Sequence, residues 1–231
     1  MNNIKNFLNK FDIKLKDKSY YEEALTHNSF SNENRLSKNY QRLEFLGDAI
    51  IQQKVSEFLY KNFPKANEGI LTKIRSSIVR EESLAKVART IKLGSIIRLG
   101  IGELDSKGYD KDSILADVFE SFTAAIYLDL DSYLTDKWLK KTLFDNLAIE
   151  SLIEETTDYK SELQELIQLE MRSDLIYKSI SQEKDDKNQI NFVVQVMIDN
   201  MLYGVGKGTS KKRAEQLAAK DALSKIKKTF K

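Results

Sequence analysis

Cysteine is absent from the 231 residues, and histidine occurs once, at His27. Without cysteine there is no disulfide, no thiolate nucleophile and no Cys-type zinc site. With one histidine, a His-rich metal centre is impossible within one chain, and any Ser-His-Asp triad has to use His27. If the chain does chemistry, carboxylates are the leading reactive groups, and their oxygens suit hard cations such as Mg²⁺ and Mn²⁺. Long apolar runs are missing too. No stretch approaches the roughly 20 apolar residues of a membrane span. Met1 to Lys10 mixes Asn and Lys with a few apolar residues and shows no leader pattern. The expectation is a soluble, cytoplasmic protein with no membrane partner.

Hydrophobic residues make up 41% of the chain, enough for a real core. The net charge of +2 says little by itself, but it is unevenly spread. Lys207 to Lys231 carries +7 and the preceding 206 residues carry −5. A basic tail on an acidic body suggests a polyanion at one end, and a solvated helix face is the competing explanation.

Two patterns divide the chain. Up to about residue 150, apolar residues recur at helical spacing, as in Leu43, Leu46, Ile50, Ile51, Val55, Phe58 and Leu59. They do so again in Ile114, Leu115, Val118, Phe119, Phe122, Ala125 and Ile126. Pro64, the single proline, follows a helix, and Gly94, Gly100, Gly102 and Gly108 read as loops between helices. Glu150 to Asp158 is polar and acidic, a plausible linker. Beyond it comes a helix from Tyr159 to about Met171, then a strand near Leu175 to Ser181. A period-two run follows in Ile190, Phe192, Val194, Val196 and Ile198, with a turn at Asp199-Asn200 and a strand from Met201 to Lys207. A final helix buries Ala214, Leu217, Ala218, Ala222 and Ile226.

Two acid pairs stand out. Glu44 and Asp48 are four apart and Asp117 and Glu120 three apart, so each pair projects from one side of its helix. None has a Lys or Arg three or four positions away. Like charges at this spacing repel by a few tenths of a kcal/mol on a helix surface, and more if buried. Gly47, Ser121 and Ala124 are small enough to let two such helices approach closely. Four carboxylates meeting there need a cation, and a divalent metal is the economical answer. On spacing alone, however, ordinary surface acids are the favoured reading. His27 reads as a hydrogen-bonded structural residue, and Phe45 is open to a core role.

The surrounding words change that balance. Gln41-Arg42-Leu43-Glu44-Phe45-Leu46-Gly47-Asp48-Ala49-Ile50 closely resembles the signature of the ribonuclease III family. Ser113-Ile114-Leu115-Ala116-Asp117-Val118-Phe119-Glu120-Ser121 resembles its second acidic segment, Ala24-Leu25-Thr26-His27 its N-terminal segment, and Glu68-Gly69 a further position. The resemblance implies an active site of Glu44, Asp48, Asp117 and Glu120. In it Glu44, Asp117 and Glu120 ligate Mg²⁺, the catalytic Asp48 holds the site together and binds metal or its waters, and Glu68 is auxiliary; Mn²⁺ can substitute. It also implies products with 5′-phosphate and 3′-hydroxyl ends, and a homodimer in which Phe45 enters a socket on the partner. A two-fold dimer matches the dyad of a duplex cut on both strands. One departure is clear. Many members carry Asn and an acid where this chain has Tyr40 and Gln41. The acid lies at the edge of the family's cluster, so its loss is expected to alter substrate or product handling and to leave cleavage in place.

The α-β-β-β-α order and basic last helix resemble a double-stranded-RNA-binding domain. Leu163-Gln164-Glu165 matches its first helix, and Gly206-Lys207-Gly208-Thr209-Ser210-Lys211-Lys212-Arg213-Ala214 its last. A helix starting near Ser210 would offer phosphate its positive dipole end together with Lys211, Lys212 and Arg213. Ser161, Gln164, Glu165 and Gln168 would face the minor-groove 2′-hydroxyls. For Gln164, a solvent-facing helix residue explains the sequence equally well. The segment Gln182 to Gln189, read as the loop between the first two strands, lacks the family's Gly-Pro-x-His and carries Glu183, Asp185 and Asp186.

These readings combine into a multi-domain chain. An all-α endonuclease domain at 1–152, a linker at 153–157 and an α+β double-stranded-RNA-binding domain at 158–231 are expected. The expected function is Mg²⁺-dependent cleavage of double-stranded RNA, in processing of precursors such as rRNA and mRNA, with no small-molecule substrate. A non-catalytic RNA-binding protein on the same fold would be expected to have lost carboxylates. A hydrolase of small phosphate esters would not need residues 158–231.

Overall fold

A computed structural model describes residues 2–64, 66–145, 158–171, 174–184 and 190–229. The chain divides into two compact units, 1–156 and 157–231. The expected linker at 153–157 lies outside the described residues.

The first unit is helical throughout its described elements, and α8 (Asp112–Asp129) lies at its centre. From Ile114 to Ile126 almost every side chain of α8 is buried. A helix that is apolar nearly all round has to be enclosed by others. Around α8 pack α2 (Lys18–Ala24), α4 (Gln41–Asn62), α6 (Glu81–Thr90) and α9 (Ser132–Leu139). The Trp138 ring packs 5.7 Å from Phe119 and 5.5 Å from Phe122, and its indole N–H donates to Thr123 at 3.0 Å. At the far end of α8 the buried Asp129 accepts from the Lys16 and Asp17 amides at 2.8 and 2.6 Å and from the Tyr21 hydroxyl at 2.9 Å. Those three bonds satisfy a buried carboxylate and tie the N-terminal segment to α8. Between α6 and α8 the glycine-rich stretch is more ordered than the loops expected there. Leu93–Ile96 and Gly108–Asp110 are 3₁₀ turns, and Ile101–Asp105 is a short helix, α7.

The second unit has the expected α-β-β-β-α order. Helix α10 (Tyr159–Leu166) runs into a π-turn at Ile167–Met171. Strands β1 (Leu175–Lys184), β2 (Ile190–Ile198) and β3 (Met201–Gly208) form an antiparallel sheet in that order, covered by α11 (Lys211–Thr229). Asp199 and Asn200 have φ of 49° and 64°, the left-handed pair that a two-residue hairpin loop requires. The inner face of β2 buries Val194, Val196 and Ile198 against Leu163, Ala214, Ala218 and Ala222. Helix α11 lies so close to β3 that a Cβ on Gly206 would come within 2.2 Å of the Ala214 carbonyl oxygen. The expected loop at 182–189 is shorter than read. Gln182, Glu183 and Lys184 pair with Phe192, Asn191 and Ile190 as part of β1, and 185–189 lie outside the described residues.

Candidate active site and nucleic-acid interface

Helices α4 and α8 cross at Gly47. A Cβ there would lie 2.0 Å from the backbone oxygen of Glu120, so only a glycine lets the helices meet this closely. The contact brings the four acids near one another, each half-buried: Glu44 and Asp48 on α4, Asp117 and Glu120 on α8. Their electrostatics couple. Burial, then Asp48, Asp117 and Glu44, pushes the Glu120 carboxyl up to about 8. Burial, then Asp117 and Asp48, raises Glu44. Burial raises Asp117 as well, while the Tyr40 hydroxyl and His27 pull against it. No lysine or arginine forms a salt bridge to any of the four among the described residues. They are not closed into a cage: among the described residues no three acidic or histidine side chains already converge as metal ligands. Neutral donors hold two of them. Gln52 donates to both Asp48 oxygens at 2.8 and 3.0 Å, and Tyr40 donates to Asp117 Oδ2 at 2.9 Å. An uncompensated set of oxygen donors of this kind suits a hard divalent cation.

Other expected residues fall differently. Glu68 opens α5 (Glu68–Val79), exposed, with its carboxylate accepting from Thr72 Oγ1 at 2.9 Å. It faces a cleft of about 740 Å³ between α4 and α5, lined also by Tyr60 and Arg75, and does not join the four. Phe45 is 81% exposed, which overturns the core role left open for it. His27 is structural: its Nδ1 accepts from the Ser29 amide at 3.1 Å and caps α3 (Asn28–Glu33). Burial, its largest influence, lowers its pKa. Tyr40 is the residue the sequence reading missed, having registered only as a departure. Its spacing was the available signal, since Tyr40, Glu44 and Asp48 recur every four residues.

In the second unit Ser161, Gln164, Glu165 and Gln168 are all exposed. The Ser161 hydroxyl is already engaged, donating to Asp158 at 2.9 Å. Gln168 lies in the π-turn, where the spacing that would align it with Gln164 changes. Lys211 and Lys212 are exposed on the first turn of α11, capped by Ser210, whose Oγ accepts from the Arg213 amide at 3.2 Å. Arg213 is half-buried, its stem beside Gly208.

Comparison with known proteins is consistent with both units. The Ribonuclease-III-like family profile matches residues 17–147, and the Double-stranded RNA binding motif matches residues 159–226. Ribonuclease 3 of Mesoplasma florum is 53% identical over 226 residues, covering 97% of this chain and 98% of that protein. The chain belongs to the ribonuclease III family. It is thereby an endoribonuclease, a phosphodiester hydrolase, with a double-stranded-RNA-binding domain. Ribonuclease 3 of Streptococcus gordonii is 42% identical, with 97% of each chain covered. Among solved structures, the nuclease domain of ribonuclease III from Campylobacter jejuni superposes with a TM-score of 0.56 at 37% identity. It covers 61% of this chain and 98% of that one, and is described as having a flexible region involved in dimer formation.

Proposed function

We propose that this ribonuclease III cuts double-stranded RNA with Mg²⁺ held by Glu44, Asp117 and Glu120, Mn²⁺ being able to substitute, and with Asp48 and Glu120 essential to the reaction. The observation that carries the reading is the crossing at Gly47, which gathers four carboxylates with no cationic partner among the described residues. The raised Glu120 supports it: a carboxyl pushed up to about 8 gains most from a cation that replaces its proton.

When bound, the divalent ion supplies Lewis acidity toward the phosphodiester and an acidified water for in-line attack. The protein's side chains set the geometry. Among the described residues Glu44 and Glu120 offer oxygens not committed to another side chain, while Asp117 is oriented by Tyr40 and Asp48 by Gln52. Hydrolysis forms a bond from water oxygen to phosphorus and breaks the bond from phosphorus to the 3′ oxygen, which leaves with a proton. The products are a 5′-phosphate and a 3′-hydroxyl.

The division of labour follows residues 1–152 for cleavage and 158–231 for gripping the duplex. Lys211, Lys212 and Arg213 lie across phosphates, and Ser161, Gln164, Glu165 and Gln168 face the minor groove. The enzyme acts as a homodimer in the cytoplasm on structured precursors such as rRNA and mRNA, with the exposed Phe45 entering the partner and Glu68 auxiliary. No helix among the described residues is long and apolar enough to cross a membrane. The test is incubation of the full chain with a perfect RNA duplex, with and without Mg²⁺, followed by end-group analysis. Cleavage that persists in chelator, or 3′-phosphate ends, overturns the reading.

A further inference from the structure

We propose that Tyr40 is a positioning residue for the reaction, holding Asp117 across the α4–α8 crossing from a socket built by Thr26 and His27. This rests on the assignment of Asp117 as a metal ligand.

Three observations carry it. First, Tyr40 is only 4% exposed, yet its hydroxyl turns to a carboxylate on another helix, 77 residues along the chain, and not to a nearby carbonyl. Among the described residues it is the side-chain donor that Asp117 has. Second, the Tyr40 main chain is fixed on its own account, and a neighbouring ring flanks its phenol. The Tyr40 amide donates to the Thr26 carbonyl at 2.9 Å, and its carbonyl accepts from the Glu44 amide at 2.8 Å. The His27 ring lies 5.6 Å from the Tyr40 ring, and the His27 amide is anchored to the Arg98 carbonyl at 3.0 Å. Third, Tyr40 precedes Glu44 by four residues and so heads the face of α4 that carries Glu44 and Asp48. One hydroxyl thus links the two halves of the carboxylate group. It leaves Asp117 Oδ1 for a cation and limits rotation of the carboxylate. Partners that orient metal ligands in this way typically change metal affinity or activity by about 10–100-fold when removed.

The test is Tyr40→Phe in the full chain, with Mn²⁺ binding measured by calorimetry without RNA, below each variant's unfolding transition. Asp117→Asn and the double variant are measured beside it. Mn²⁺ affinity should fall about tenfold in Tyr40→Phe, with the loss on RNA cleavage appearing in kcat and not in KM. In the Asp117→Asn background, removing the hydroxyl should change Mn²⁺ affinity no further, because the hydroxyl acts through Asp117. Affinity within about twofold of the wild type, or an equal loss in both backgrounds, overturns the proposal. If Asp117→Asn itself binds Mn²⁺ like the wild type, the assignment of the metal site fails first.

Discussion

Gly47 and Glu120 share one space: the absent side chain of Gly47 is replaced by the Glu120 backbone oxygen, 2.0 Å from where a Cβ would stand. The backbone of a helix centre cannot move aside as a flexible side chain can, so α4 and α8 would have to separate. Gly47→Ala should therefore destabilise the first unit by about 1–3 kcal/mol, despite alanine's better helix propensity. It should also spread the carboxylates and reduce cleavage more than the stability loss explains. Chemical denaturation and cleavage rates on the same preparation check this. An unchanged midpoint with full activity would mean the helices tolerate the wider spacing.

Glu120→Gln keeps the volume and removes the ionisable carboxyl of the most perturbed of the four acids. Duplex binding should survive, and kcat in Mg²⁺ should fall by at least about a hundredfold, beyond the usual cost of losing an outer-shell partner. Single-turnover cleavage beside a gel-shift measurement separates the two effects. Substantial residual cutting in Mg²⁺ would remove Glu120 from the site.

Much of the fold was legible because helical and strand periodicity survive in the sequence. The stripes around Leu43–Leu59 and Ile114–Ile126 mark α4 and α8, and the alternation from Ile190 to Ile198 marks β2. The small residue at Gly47 even signalled the close crossing. What stayed hidden depends on partners distant in sequence. The Tyr40–Asp117 bond needs the helix crossing to exist first. The polar residues Gln182 to Lys184 join β1 because β2 offers them a continuing ladder, a tertiary preference that overrides their composition. Phe45 falls among apolar neighbours in sequence, but its direction on α4 leaves it exposed.

The raised Glu120 also fixes a pH dependence. With a folded value of about 8 against an ordinary 4.5, the metal-free native protein keeps a proton that the unfolded chain has released. That contribution to stability is complete below about 4.5 and is lost as pH rises through about 8. A divalent ion has to displace the same proton. Mn²⁺ binding near neutral pH should therefore release close to one more proton from the wild type than from Glu120→Gln. Calorimetry in two buffers of different ionisation enthalpy measures the count. A wild-type count equal to that of the variant would mean Glu120 is already ionised before the ion arrives.

Lys211 and Lys212 stand exposed at the positive end of α11, with the helix start held by Ser210. Their proposed partners are phosphates, which position a protein on a duplex but carry no base identity. Replacing both with alanine should weaken binding to every RNA duplex by a similar factor. Each phosphate that is no longer neutralised should also flatten the slope of log affinity against log salt by somewhat under about one unit. Arg213 should behave differently, because it is half-buried and its stem lies beside Gly208, so Arg213→Ala is expected to cost stability as well as charge. Binding isotherms for two unrelated duplex sequences at several salt concentrations, with thermal unfolding of each variant, test both statements. A loss confined to one duplex sequence would show that the lysines read bases, and an unchanged salt slope would take them off the phosphates.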